Sequence, residues 1–351
     1  MTLDEIKNLL KTGEYGFLQT NPHLGKNIVL LGLGGSHAYG TNVADSDVDI
    51  RGCATLTAND ILTCSGFEQV VDNTTDTTIY SLPKLVSLLA ACNPNTIEML
   101  GLKKEHYLYF TDIGSELVRN SDMFLSKRAV HSFGGYANAQ LRRLENKAVR
   151  TVEQARREEH ILNSIKNVQY LFNEKYSEMQ EDSLKLYIDN AVNEEYDKEI
   201  FMDVNLTHYP LRDYKSMWSE LNTVVKDYAK LGKRNEHAIE HGKLAKHQMH
   251  LVRLYLMAFD ILEDGKIVTY REKDHDFLMK IRGGAYLDGN DCVTPEFFEI
   301  VDELDNKLNA LKETTPLPAE PDWDRINKFL REANSAIVSK ELVNFAVKKE
   351  E

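Results

Sequence analysis

The chain has 351 residues, of which 42 % are apolar and 28 % are charged. This length is within the range of two ordinary domains, and the composition is that of a folded globular protein rather than a disordered chain. The formal net charge of −13 argues against a broad basic coat for nucleic acid, although a local basic stripe remains compatible with it.

The first elements predicted along the chain are a short helix and two strands. Thr2 and Glu5 have the spacing of a capping box ahead of an apolar stripe, which predicts a helix at the N-terminus. The short apolar run at residues 27–33 predicts a buried strand that ends at a Gly-Gly-Ser turn. The stretch "SDVDIRGCATL" predicts a second strand, on which Asp47 and Asp49 share one charged face.

Two more strands and a helix follow. The stretches "FEQVV" and "DTTIYSL" are rich in β-branched and aromatic residues, and a predicted turn at residues 72–75 separates them. Pro83 fits the first turn of a helix, and Asn93 with Pro94 predicts where that helix ends. These elements form a strand-rich region flanked by helices.

The pattern changes near residue 132, where long charged helical stretches replace the strand signals. A Pro-rich break at residues 314–322 precedes a last helix and a charged tail. We therefore predict an α+β fold, with a small mixed-sheet domain at residues 1–125 and a mainly helical domain with a C-terminal tail at residues 126–351.

Cysteine usage and the N-terminal stretch indicate the compartment. The four cysteines show neither a CxxC pair nor the density of a disulfide scaffold, so we expect free thiols in a reducing environment. The stretch "MTLDEIKNLLKTGEY" is unlike a targeting signal, and no apolar run approaches the about 20 residues of a membrane span. We expect a cytoplasmic protein without a membrane segment.

The Gly-Gly-Ser turn and the two aspartates together predict a site for phosphate and metal. Asp47 and Asp49 repel each other on one strand face unless a cation lies between them, and Mg²⁺ prefers carboxylate oxygens together with phosphate oxygens. Gly35 lets the backbone approach a phosphate, and the Ser36 hydroxyl and nearby amides bind the anion. Each part alone is weak, and it is their order and spacing that favour the site.

The string "GSHAYGTNVADSDVDIRG" resembles the polymerase-β-like nucleotidyltransferase superfamily, in which a Gly-Ser turn opens a helix and Asp-x-Asp follows on the next strand. More narrowly, it resembles the predicted nucleotidyltransferases of the YcgL type, which include an RNA-repair-associated subgroup. The stretches "KHQMHLVRLYLMAFDILEDGKI" and "DFLMKIRGGAYLD" are similar to the same family. The resemblance therefore covers both predicted domains and implies that residues 1–125 form the nucleotidyltransferase domain.

The resemblance also implies a third carboxylate on a neighbouring strand. It assigns this role to Asp76, at the head of "DTTIYSLPKLVSLL", with Asp72 as the rival and a strand-capping role as the alternative for Asp76. In such enzymes Asp47, Asp49 and Asp76 hold two divalent ions, Mg²⁺ or Mn²⁺. An acceptor hydroxyl then attacks the α-phosphorus of a nucleoside triphosphate and pyrophosphate leaves.

Three other side chains near the motif could have either a structural role or a role in binding the substrate. Arg51 lies two positions beyond Asp49 and so shares its face, where it either pairs with an aspartate or contacts the triphosphate. We expect His37, in the first turn of a helix, to be exposed rather than to contact a phosphate. Tyr39 is expected in the core or at its rim rather than as a platform for a base.

The second domain offers candidate cations for the nucleotide or the acceptor. Lys246, His250 and Arg253 are candidates for contact with the triphosphate or acceptor across a cleft between the domains, and a polar contact between helices is the alternative. Lys243, Lys246 and Arg253 are also candidates for a basic track for RNA beside the stretch "KRNEHAIEHGKLAKH", whose alternative is a solvated helix face. The histidine spacing here lacks the further ligands that a zinc site requires.

These residues predict a metal-dependent nucleotidyltransferase that moves a nucleoside monophosphate from a nucleoside triphosphate to a hydroxyl. We expect the acceptor to be an RNA 3′ end, such as that of a tRNA, because the resemblance includes the RNA-repair subgroup. Two alternatives stay open: an antitoxin-like transferase that modifies protein, and a nucleotide-binding regulator without catalysis. The sequence does not specify the nucleobase or the oligomeric state.

Overall fold

The computed structural model describes residues 1–63, 65–148, 184–190, 198–229, 243–289 and 293–350. The chain forms two compact units. The first unit consists of three segments, Met1–Gln140, Gln248–Ala285 and Pro295–Glu351. The second consists of Leu141–His247 and Tyr286–Thr294.

The first unit differs from the predicted division near residue 125, because segments late in the chain complete it. The amide of Thr269 donates to the carbonyl of Gly101 at 3.2 Å, and the amide of Arg271 donates to the carbonyl of Tyr39 at 3.0 Å. A change of hydrophobic period was the cue to the predicted boundary. Periodicity reports local structure and carries no information about contacts between distant segments.

A mixed five-stranded sheet lies in the first unit. Its strands are β1 (Ile28–Leu33), β2 (Ile50–Ala54), β3 (Gln69–Asp72), β4 (Thr77–Ser81) and β5 (Tyr107–Phe110). They are arranged in the order β3-β4-β2-β1-β5, with β2 and β4 parallel and the other neighbours antiparallel. The predicted α+β class with a small mixed sheet is confirmed, whereas β5 was not predicted.

Helices account for most of the remaining described residues. Those before β5 are α1 (Leu3–Leu9), α2 (Phe17–Thr20), α3 (Gly35–Tyr39), α4 (Ala58–Leu62), α5 (Leu82–Ala90) and α6 (Pro94–Ile97). Those after it are α7 (Asp112–Arg119), α8 (Arg128–Ala148), α9 (Leu211–Ala229), α10 (Lys243–Asp264), α11 (His275–Arg282), α12 (Pro295–Thr314) and α13 (Trp323–Glu350). The Pro-rich break predicted before the last helix separates α12 from α13.

Several local predictions are confirmed by the caps of these helices. Thr2 and Glu5 form the capping box of α1. Pro83 lies in the first turn of α5. The side chain of Asn93 caps α6 by accepting from the amide of Asn95. Each of these features depends on neighbouring residues alone, which is why the sequence shows it.

The second unit contains a two-stranded antiparallel sheet that the sequence analysis did not predict. It is formed by β6 (Leu184–Asn190) and β7 (Lys198–Val204), and Tyr187 faces Phe201 in its register. The expectation that strands nearly vanish after residue 132 is therefore wrong at this point. Both strands contain the β-branched and aromatic residues that favour strands, Tyr187 and Ile188 in β6 and Ile200 and Phe201 in β7. The part of the predicted long helix that follows residue 148 lies outside the described residues, which resume at residue 184.

Two of the four cysteines lie in the described part of the chain. Cys53 and Cys92 are free and buried, and burial raises the pKa of both thiols. Cys64 and Cys292 lie outside the described residues. Among the described helices, none is long and apolar enough to cross a bilayer.

Gly114 tests the packing of α7 against β1. A Cβ atom at position 114 would lie 2.1 Å from the carbonyl oxygen of Val29. Gly114→Ala should therefore reduce the free energy of unfolding by about 1–3 kcal/mol, because α7 has to move away from the strand. Urea denaturation followed by circular dichroism measures the loss.

Gly135 in α8 provides the matched control, since a Cβ atom there meets nothing within 4 Å. Gly135→Ala should raise the stability by up to about 1 kcal/mol through helix propensity alone. Equal losses in the two variants would contradict the packing explanation for Gly114.

Candidate active site

The Gly-Gly-Ser turn connects β1 to α3 and packs directly against Asp49. The amide of Gly34 donates to the carbonyl of Asp49 at 2.8 Å. Gly35 has φ +55°, and a Cβ atom there would lie 1.7 Å from Oδ2 of Asp49. Ser36, the next residue, is buried within α3. Glycine at position 35 is thus required both by the left-handed backbone and by the aspartate that lies against it.

Arg51 brings two of the predicted carboxylates together. Its Nη2 lies 3.5 Å from Oδ1 of Asp49, and its Nη1 lies 3.3 Å from Oδ1 of Asp76. Both contacts follow from the register, because β2 and β4 are parallel and the two aspartates each precede the paired residues Ile50 and Thr77. The predicted pairing role of Arg51 is present in the structure, and its contact with a triphosphate stays a prediction.

The backbone of Asp76 also belongs to this arrangement. Asp76 has φ +43°. Its carbonyl accepts from the amide of Ile50 at 3.2 Å and from Nη1 of Arg51 at 2.7 Å. A left-handed conformation is uncommon outside glycine, although aspartate tolerates it, and such residues cluster at functional sites. The carboxylate of Asp76 is 59 % exposed, so it is accessible to a ligand.

Asp72, the other candidate for the third carboxylate of the site, makes hydrogen bonds within a turn. Its Oδ1 accepts from the amides of Thr74 and Thr75 and from the Thr75 hydroxyl, at 2.9–3.1 Å. The hydrogen bond from the Thr75 backbone is the main cause that lowers the pKa of Asp72. This carboxylate therefore stabilises the turn between β3 and β4, which favours Asp76 as the carboxylate of the site.

The positions of Asp47 and Asp49 differ from the predicted strand. β2 begins at Ile50, so both aspartates lie just before the strand rather than within it, and Asp47 is exposed. Among the described residues, no three His, Cys, Asp or Glu side chains are grouped closely enough to hold a metal ion. The predicted set of Asp47, Asp49 and Asp76 is thus not assembled as a cluster, and the Arg51 guanidinium contacts two of its members.

The donor chemistry nevertheless fits a hard divalent cation. Carboxylate oxygens are the ligands that Mg²⁺ and Mn²⁺ prefer, and Mg²⁺ usually takes one or two protein carboxylates with phosphate oxygens. Asp49 and Asp76 already hold a cationic group in contact with both. The pair therefore suits positive charge supplied together with a phosphate ligand.

A buried network lies behind the turn. The Tyr39 hydroxyl donates to Oε2 of Glu98, and Nη1 of Arg253 lies 3.3 Å from the same oxygen. The Arg253 guanidinium also stacks on the Tyr39 ring, with Cζ 3.6 Å from the ring centroid. Burial raises the pKa of Glu98, which Arg253 and the Tyr39 hydroxyl oppose, and burial raises the pKa of Tyr39 well above its usual value. Tyr39 is in the core, as predicted.

The loop between α3 and Asp47 is held by Arg282 at the end of α11. Its Nη1 donates to the carbonyl of Thr41 at 2.8 Å, and its Nη2 donates to Oγ of Ser46 at 3.2 Å. His37 is buried rather than exposed, contrary to expectation, and its Nε2 has no hydrogen-bond partner in the described part of the chain. Burial lowers the pKa of His37, opposed by a hydrogen bond to the Ser46 backbone.

The candidate cations of the helical region are not all at the surface. Arg253 is 4 % exposed, so it does not belong to a solvent-facing basic track. His250 is half-buried, with its ring edge-on to Tyr39 at 6.5 Å between centroids. Lys246 is exposed and belongs to the second unit. The side chain of Lys243 and most of the stretch "KRNEHAIEHGKLAKH" lie outside the described residues.

Two residues of the site were missed by the sequence analysis. Glu98 stands in the apolar run "TIEML", where a lone carboxylate was the available signal. Arg282 stands in "KIRGG" and shows nothing in the sequence that links it to the loop it holds. The predicted nucleotide contacts of Lys246, His250 and Arg253 stay predictions.

One known protein family matches most of this chain. The family described as the RNA repair pathway DNA polymerase beta family matches residues 14–332. The chain belongs to this family. The match confirms the resemblance to polymerase-β-like nucleotidyltransferases of the RNA-repair branch, and it includes all of α10, α11 and α12. No curated protein and no solved structure matches the chain.

Gly35 offers a direct test of the packing between the turn and Asp49. Gly35→Ala should lower the melting temperature, with a loss of stability of about 1–3 kcal/mol, because the methyl group and the Asp49 carboxylate occupy the same place. Gly13→Ala is the control, since a Cβ atom at position 13 has nothing within 4 Å. Unchanged melting of the Gly35 variant would show that Asp49 does not pack on the turn.

Proposed function

We propose that this chain is a metal-dependent nucleotidyltransferase that moves a nucleoside monophosphate from a nucleoside triphosphate to a hydroxyl at an RNA 3′ end, with release of pyrophosphate. The observation that carries the proposal is the meeting of Asp49 and Asp76 on Arg51, directly against the glycine turn. A site that combines acidic groups with a backbone suited to phosphate is adapted to a triphosphate bound with a cation.

Each part of the site has a role in this reaction. The turn at Gly34–Ser36 orients the phosphates through backbone amides and the Ser36 hydroxyl. Asp47, Asp49 and Asp76 would hold the divalent cation, Mg²⁺ or Mn²⁺, with two ions implied by the family resemblance. The bound cation supplies neutralisation of the charge on the triphosphate. Arg51 keeps Asp49 and Asp76 together in the protein described here.

The chemical step is an in-line displacement at the α-phosphorus. The acceptor hydroxyl oxygen forms a bond to the α-phosphorus, the bond from this phosphorus to the bridging oxygen breaks, and pyrophosphate leaves. The exposed Asp76 carboxylate takes the proton of the attacking hydroxyl. The accessibility of Asp76 beside Asp49 supports this assignment, because the acceptor has to reach it from solvent.

The family description supports an RNA acceptor. Incubation with each α-³²P-labelled nucleoside triphosphate, Mg²⁺ and either total RNA or total cell protein should label the RNA. Periodate oxidation destroys the 3′-terminal diol, so oxidised RNA should no longer be labelled. The Asp49→Asn variant is the control for label introduced by a contaminant.

The other outcomes separate the alternatives. Label in protein would identify a protein-modifying transferase, and label in periodate-treated RNA would exclude the 3′ end. Binding of a nucleoside triphosphate without label in either pool would identify a regulator and overturn the proposed activity.

Asp76 and Asp72 form a matched pair of variants. Asp76→Asn should reduce transfer by at least about 100-fold, because asparagine tolerates the left-handed backbone but neither accepts the proton nor holds a cation as well. Asp72→Asn should retain activity while its turn is weakened, because Asp72 serves the turn. Single-turnover rates with the labelled substrate measure both. A larger loss of activity in Asp72→Asn than in Asp76→Asn would assign the role of third carboxylate to Asp72 instead.

A further inference from the structure

The position of Arg253 is unusual for a charged side chain. It is 4 % exposed, and its Nε is buried without a hydrogen-bond partner among the described residues. Its recorded ionic contact, with Glu98, has a distance of 3.3 Å, whereas its guanidinium lies 3.6 Å from the centre of the Tyr39 ring. A buried N–H group without a hydrogen-bond partner reduces the stability of the fold. Arg253 thus contacts the Tyr39 ring even though its Nε makes no hydrogen bond among the described residues.

Tyr39 connects Arg253 to the phosphate turn. It is the last residue of α3 and lies about one helical turn after Ser36. Its hydroxyl donates to Glu98, its carbonyl accepts from Arg271 at 3.0 Å, and its ring carries Arg253. A displacement of Tyr39 therefore reaches the turn that begins α3, because only about one helical turn separates Tyr39 from Ser36.

Glu98 is fixed independently of Arg253. The Thr269 hydroxyl donates to the carbonyl of Glu98 at 2.6 Å. The residue that accepts from the Tyr39 hydroxyl thus has a defined backbone. Arg253 contacts both partners of that hydrogen bond, since its guanidinium stacks on the Tyr39 ring and its Nη1 lies 3.3 Å from Oε2 of Glu98.

We propose that Arg253 is a positioning residue that sets the Gly34–Ser36 turn for phosphate binding by stacking on Tyr39. This inference rests on the proposed function for its phosphate ligand. Arg253 acts through Tyr39 and not by touching the nucleotide, which distinguishes it from the predicted direct contact. A planar guanidinium is required, because a lysine ammonium supplies the charge beside Glu98 but not the flat surface over the ring.

Two variants test the two halves of the arrangement. Arg253→Lys keeps a cation beside Glu98 and removes the planar contact. Tyr39→Phe keeps the ring and removes the hydroxyl that donates to Glu98. Isothermal titration with inorganic triphosphate in Mg²⁺ measures the phosphate site without any contribution from a nucleobase, and each variant should bind this probe about tenfold more weakly.

Tyr255→Phe is the matched control. The Tyr255 hydroxyl donates to Oδ1 of Asp305 at 3.0 Å, and Tyr255 is 1 % exposed. The change removes a partly buried tyrosine–carboxylate hydrogen bond, two residues beyond Arg253 on the same helix. It should lower the melting temperature as Tyr39→Phe does while leaving the triphosphate affinity within about twofold of wild type.

Hydrogen exchange without any ligand gives a second readout. Amide protection in the peptide covering residues 33–39 should fall about tenfold in Arg253→Lys and Tyr39→Phe and stay unchanged in Tyr255→Phe. The effects on triphosphate affinity should also be less than additive in the double variant, because both changes act on the position of Tyr39.

The outcomes separate this inference from the proposed function. Wild-type affinity and wild-type exchange in Arg253→Lys would overturn the positioning role, as would equal effects in Tyr255→Phe. If the wild-type protein does not bind triphosphate, the proposed function is overturned, and the exchange of residues 33–39 still decides whether Arg253 sets the turn.

Discussion

Repulsion between carboxylates at the ends of two neighbouring parallel strands is the constraint on which the rest of the site depends. Asp49 and Asp76 are brought together by the register of β2 and β4, and Arg51 between them supplies the opposite charge. Asp49 also leaves no room for a side chain at position 35. The acidic pair and the glycine turn are therefore packed together as one arrangement.

The parts of this arrangement that depend on neighbouring residues could be predicted from the sequence. The apolar run of β1, the Gly-Gly-Ser turn and the Asp-x-Asp spacing predict a site for phosphate and metal. The prediction comes from the order and spacing of these features rather than from any one of them. The choice of Asp76 over Asp72 came from a family resemblance. The structure adds a physical reason, since the Asp72 carboxylate is already used by a turn.

The rest depends on contacts between residues far apart in the chain, which local patterns do not encode. In the sequence, Arg253 is recognisable only as a cation on a predicted helix. Its burial against Tyr39 and Glu98 depends on the folded structure. Arg282 is equally inconspicuous, although it holds the loop before Asp47. The first unit likewise uses three separate segments, so a single boundary could not describe it.

The order in which the chain is synthesised gives this arrangement a further consequence. Roughly 200 residues separate Tyr39 from Arg253, and a ribosome adds roughly 5–20 residues per second, so the arginine emerges about 10–40 seconds after the tyrosine. Throughout that interval the nascent sheet lacks the cation that covers the Tyr39 ring. A chain that ends prematurely before α10 carries every acidic residue of the site and still lacks the guanidinium that stacks on the Tyr39 ring.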